Sequence, residues 1–480
     1  MRPLKPHKIR PAYIFGTTFA LCVLAVSPRS LPAQTSRPTQ PALRYVGTGS
    51  CAALACHGGR REPLGLKGSE YSFWSTYDPH RKAYGVLFDD RSKIIERNYR
   101  RLGSVEKAAP ENDATCLSCH VHPNFSPKSV EFEQHLAADG VGCESCHGPA
   151  ERWLSAHSER WWKGVSDRDK FEQFGMTPTK DLTYRAEQCA VCHIGTPEAE
   201  VNHDLIAAGH PRLLYEFSNQ QAKQPRHWRI EDDKSRTPDY EVRSWALGQT
   251  VGTRTSLRLL ESRAQRAQEI HEPSPWPEFA EYDCYSCHHD LKQPSRRQDL
   301  SRGDVKPGEL AWGDWTLNGT RRIATEKSFT SIDSADSALG RLQRLMANPS
   351  PNASDVTRLS RLASAELVPL IERIEQERFS LRQVDGLLSG LLRSSESADA
   401  AEWTQAARGY LGVVALARAR SDLGGPALDG LAVDRLTSLR SSLNIPTIRP
   451  GDSRLVDSPA DYDPSRVTTE LRSIREIFPR

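Results

Sequence analysis

Residues 140–157 read GVGCESCHGPAERWLSAH. Cys143 and Cys146 stand two residues apart, His147 follows at once, and a second histidine, His157, comes ten residues later. Two thiols and an imidazole on one helical turn can fix a prosthetic group and ligate its metal. The pattern recurs as C116LSCH120, C189AVCH193 and C284YSCH288, and in wider form as C51AALACH57. Of the 11 cysteines, Cys22 alone lies outside these five segments. Each pair is closed by its own histidine: His57, His120, His147, His193 and His288.

In C-x-x-C-H the thiols add across the vinyl groups of a haem and the histidine binds its iron. The expected cofactor is therefore haem c, five per chain. It would be held by Cys51, Cys56, Cys116, Cys119, Cys143, Cys146, Cys189, Cys192, Cys284 and Cys287, with the five adjacent histidines on the irons. In the first segment Ala52-Ala53-Leu54-Ala55 can loop out while both sulfurs still reach the vinyls. A structural zinc site expects paired knuckles or spaced histidines, and a local disulfide gives no reason for His57. Both readings leave the neighbouring histidine unexplained.

A six-coordinate haem needs a second ligand. Met176 and Met346 are remote from the motifs, whereas His80, His122, His135, His157, His203, His210, His227, His271 and His289 all precede residue 290. Four are expected as distal ligands. His80 lies in the aromatic stretch YSFWSTYDPHRKAY, and His135 in the amphipathic VEFEQHLAADG. His157 shares the i+4 spacing of Trp153 and Trp161, which predicts one helix face over a porphyrin. His210 is fixed between Gly209 and Pro211. For His122, His203, His227, His271 and His289 a hydrogen-bonding or surface role is the default, with ligation of a nearby haem as the alternative.

With 64 basic and 61 acidic residues there is no bulk electrostatic case for nucleic acid. The start of the chain, basic and then apolar over AYIFGTTFALCVLAV, is shorter than the roughly 20 residues of a spanning helix. It reads as an export signal over 1–33, removed near Ala33, and places the protein in the periplasm or otherwise outside the cytoplasm. The expected organisation continues with an extended linker at 34–48, a pentahaem cytochrome domain at 49–292 and a linker at 293–330. A helical bundle at 331–444 and an extended tail at 445–480 complete it. The fold class is mainly α with little regular β structure. Within the cytochrome part, W245ALGQTVGTRTSLRLLESRAQRAQEI270 has helical periodicity.

The run CESCHG followed by His157, the 71–83 stretch with His80, and A207AGHP211 resemble the cytochrome c554 family over about 49–292. The resemblance implies a mainly helical, exported protein with closely packed haems that passes electrons. It implies Cys143, Cys146 and His147 on one haem, and His80, His157 and His210 as distal ligands. Electron transfer with redox partner proteins is the expected function, either as a homo-oligomer or within a membrane-associated complex. The second reading is an oxidoreductase with one open haem acting on a small nitrogen or sulfur compound. A docking or scaffold protein is the third.

Overall fold

The computed structural model describes residues 43–59, 67–102, 109–122, 136–271, 274–284, 287–288, 310–312, 315–329, 332, 334–395, 403–445 and 462–478. Among these, helices and turns account for all regular structure, and β pairing is confined to the isolated bridges Thr196–Ala199 and Tyr282–Trp312. The fold is mainly α, as the sequence leads one to expect.

Three of the cysteine motifs are the ends of short helices: Ala114–His120, Cys143–His147 and Leu182–His193. A helical C-x-x-C-H puts the first cysteine and the histidine at i and i+4, on one face. Asp113 and Asp181 cap two of these helices by accepting the N–H groups of Thr115 and Tyr184. Gly148 ends the third at φ +80°, where a Cβ would run into the Gly175 carbonyl. In the wide first motif, Ala53, Leu54 and Ala55 are exposed while Cys51 is buried. Cys51 O accepts the His57 N–H at 3.3 Å. The extra residues thus loop outward.

The helix Tyr240–Arg266 is the axis of the molecule and is buried on nearly every side through Thr253. Gly248 makes that possible, because a Cβ there would stand 2.6 Å from the Phe217 Cβ. Helices Leu182–His193, Leu317–Glu326, Ala353–Glu366 and Trp403–Asp422 pack on it. One continuous apolar core results, running from Leu182 to Phe478 and crossing position 293. Upstream of it the apolar clusters are small: Leu87, Leu117, Val121 and Ala137 in one, Ala150, Trp153 and Trp162 in the other. Clusters of that size are too small to offset the entropy of ordering the chain around them.

Three local expectations change. Trp153, His157 and Trp161 do not share a continuous helix: His157 sits in the 3-10 turn Ala156–Ser158, and Trp161, in Arg160–Gly164, is half exposed. Glu159, extended between the two turns, breaks the register. The region 354–377 divides into Ala353–Glu366 and Val368–Gln376, with Pro369 opening the second helix. The tail expected to be extended contains the helix Pro464–Ile477, which Asp463 caps and whose Val467, Leu471 and Ile474 are buried.

Candidate functional site

Each of the five motif histidines lies opposite a histidine from elsewhere in the chain. The pairs are His57 with His157 at 6.1 Å between ring centroids, His120 with His210 at 6.5 Å, and His147 with His227 at 6.1 Å. His193 faces His80 at 6.2 Å and His288 faces His203 at 6.4 Å. The planes are close to parallel in two pairs (14° and 24°), near perpendicular in two (89° and 88°), and at 62° in the other. Such distances are too long for ring stacking and too uniform for chance neighbours. Two imidazole nitrogens bonded to one metal at about 2 Å each, with each nitrogen about 1.1 Å from its ring centre, put the centroids about 6.2 Å apart. The five pairs fit a bis-histidine metal.

The ring nitrogens agree with that fit. Nδ1 is engaged by Glu70 at His57 (2.8 Å) and by Asp78 at His80 (2.8 Å). Backbone carbonyls of Ala83, Trp153 and Pro211 take Nδ1 of His120, His157 and His210 at 2.7, 3.0 and 2.8 Å. An Nδ1–H held in this way fixes the tautomer and leaves Nε2 as the free lone pair for a metal. At His193 the neighbour is the Gln220 side-chain amide, 3.1 Å away, whose buried Oε1 has no hydrogen-bond partner. Rotating that amide turns Oε1 toward Nδ1–H and satisfies both atoms. Burial lowers His147 and His193 to about 4 and also lowers His120 and His227. Buried imidazoles stay neutral, the form that ligates.

None of the ten motif cysteines is paired in a disulfide. Burial pushes the thiols of Cys116 and Cys189 up to about 12 and that of Cys146 up to about 11. Thiols of different motifs are close enough to influence one another: Cys51 and Cys143, Cys119 and Cys192, and Cys146 and Cys189. Motifs one, three, four and two are therefore neighbours in that order. The fifth is reached through Arg212, whose Nη1 is 3.5 Å from Cys284 Sγ. A cavity of about 90 Å³ opens there, lined in part by Arg212, Tyr215, Ala280, Arg263, Trp312 and Trp315.

His80, His157 and His210, expected as distal ligands, all face motif histidines. His157 faces His57 and not the nearby His147, so GVGCESCHGPAERWLSAH bridges two pairs. His135 and His289 fall outside the described residues. His203 and His227, for which a supporting role is the default and ligation the alternative, both stand in facing pairs. Their local sequence carries little signal: His203 opens a five-residue helix capped by Asn202, and His227 stands beside Trp228. The usable signal was the count, five motif histidines needing five partners. His122 is buried against Tyr45, with ring centroids 3.9 Å apart, and His271 is exposed.

Residues 50–148 match the family model described as cytochrome c554 and c-prime. The chain is 34% identical over 92 residues to a protein named cytochrome c-554 from Nitrosomonas europaea. That alignment covers 17% of this chain and 35% of the relative, so about a third of the relative's length is spanned. No solved structure matches the chain. Motifs and match together define a c-type cytochrome, for which haem c is the implied cofactor. Within that class the chain resembles the cytochrome c554 family, the family model matching 50–148.

Proposed function

We propose that this protein passes electrons through five covalently bound haems c, each held by one cysteine pair and two histidines, in an extracytoplasmic compartment. The observation that carries the reading is that every motif histidine has a second imidazole opposite it at 6.1 to 6.5 Å. Haem c, when bound, supplies a one-electron iron couple. The chain's residues do the rest. Each imidazole pair would hold the metal from two sides, which would leave no position for a substrate and keep the ligand set unchanged between oxidation states. An oxidoreductase with an open iron needs a motif histidine without such a partner, and none of the five is of that kind.

The proximity of Cys51 to Cys143, of Cys146 to Cys189 and of Cys119 to Cys192 supports short steps between neighbouring centres. The basic and apolar N-terminal run supports export, since covalent haem attachment and such a leader belong together. No helix among the described residues is long and apolar enough to cross a membrane. Redox proteins are the expected partners. A pyridine haemochrome count combined with a reductive titration tests the reading. Five haems and five electrons per chain, with no carbon monoxide or nitrite binding, support it; fewer haems or a ligand-binding fraction contradict it.

A further inference from the structure

We infer that Arg263, on the central helix, is a positioning residue that holds together the two chain segments carrying the fifth histidine pair. The inference rests on reading His203 and His288 as ligands of a fifth haem. The Arg263 side chain is only 7% exposed, and its guanidinium reaches both segments at once. Nε donates to Glu200 Oε2 at 2.7 Å, Nη1 to Glu281 Oε1 at 2.6 Å and Nη2 to the Val201 carbonyl at 3.2 Å. Glu200 stands three residues before His203, and Glu281 three before Cys284. Glu278 adds a second tie, accepting the backbone N–H of His203 at 2.8 Å and of Ala280 at 3.0 Å.

The clamp is anchored to the C-terminal part of the chain. Glu281 Oε2 accepts the Trp312 indole N–H at 3.3 Å, and Asp283 donates its backbone N–H to the Ala311 carbonyl at 2.9 Å. Trp276 donates to the Pro351 carbonyl at 2.7 Å, and Arg361 reaches across to Glu261 at 2.7 Å. A planar guanidinium with several fixed donors can serve two carboxylates and a carbonyl together, which an ammonium cannot. The helical part therefore has a role: it is the mount of the fifth centre. The family match over 50–148 includes neither this clamp nor the fifth motif.

Arg243 supplies the control. It is equally buried on the same helix, pairs with Asp239, and caps the carbonyls of Glu375 and Glu377. It touches no histidine-bearing segment and lies about 30 Å of helix away. The test uses the full-length, haem-loaded protein and compares Arg263→Met, Arg263→Lys, Arg243→Met and His203→Ala by low-temperature EPR and potentiometry. Arg263→Met should move one haem in five toward high spin or shift one midpoint potential, with Arg263→Lys intermediate. Arg243→Met should lower the thermal midpoint without either change. If Arg263→Met does not accumulate, Glu200→Gln and Glu281→Gln each remove one arm of the clamp and should give the same signature. Unchanged spin state and potentials in the Arg263 or glutamate variants overturn the inference, as does the same signature from Arg243→Met. If His203→Ala itself opens no haem, the ligand reading has failed, and the inference falls with it.

Discussion

His57 and His157 face each other across 6.1 Å with their rings 14° from parallel, although two further cysteine motifs lie between them in sequence. In four of the five pairs the connecting chain passes through at least one other motif, the His203–His288 pair being the exception. Each centre therefore ties distant segments together, and the loss of one ligand should be local and specific. His157→Gly is expected to turn one haem in five high-spin, with low-spin character restored by added imidazole. His122→Ala and His271→Ala should leave the spectrum unchanged. Low-temperature EPR of the three variants checks this.

The pairs differ in what holds Nδ1. Glu70 and Asp78 place carboxylates on His57 and His80, while His120, His157 and His210 meet backbone carbonyls. Burial on its own would raise Asp78, but the bonds from the His80 ring and backbone outweigh it and hold the acid below its usual range. Glu70 is likewise held low against burial by His57. Both are thus anionic at neutral pH. A carboxylate on Nδ1–H raises the basicity of the ligand and favours the oxidised iron.

Asp78→Asn and Glu70→Gln should each raise the midpoint potential of one haem while all haems stay low-spin. Spectropotentiometry of the two variants reads the shift. Unaltered potentials in both would show that the carboxylates only orient the rings.

The distribution of apolar core predicts how the chain behaves without cofactor. From Leu182 onward a continuous core is present, whereas among the described residues of 43–181 there are two small clusters. A variant with the motif cysteines changed to alanine should lose protease resistance first in 43–181, with fragments from the 182–478 region persisting. Limited proteolysis followed by mass spectrometry locates the cuts, and uniform digestion of both regions would refute the prediction.

The cysteine motifs are legible because the residues are contiguous: two thiols and an imidazole share one turn at Cys143, Cys146 and His147. Helix positions in the C-terminal part were legible from periodicity, as in Trp403–Asp422 and Gly430–Ser442. Distal partners were not, because they are set by three-dimensional topology. His80, in a 3-10 turn capped by Asp78, reaches His193, more than a hundred residues on. His227 has no local mark beyond a neighbouring tryptophan. Arg263, which no sequence pattern distinguishes from the other arginines of its helix, is visible only once Glu200 and Glu281 are seen beside it.

The central claim, five bis-histidine centres and no open iron, is tested most directly by low-temperature EPR combined with near-infrared magnetic circular dichroism of the oxidised full-length protein. The account predicts that all five haems are low-spin with the bis-imidazole charge-transfer signature. A high-spin signal amounting to one haem per chain, or a methionine or water signature on any of them, would contradict it.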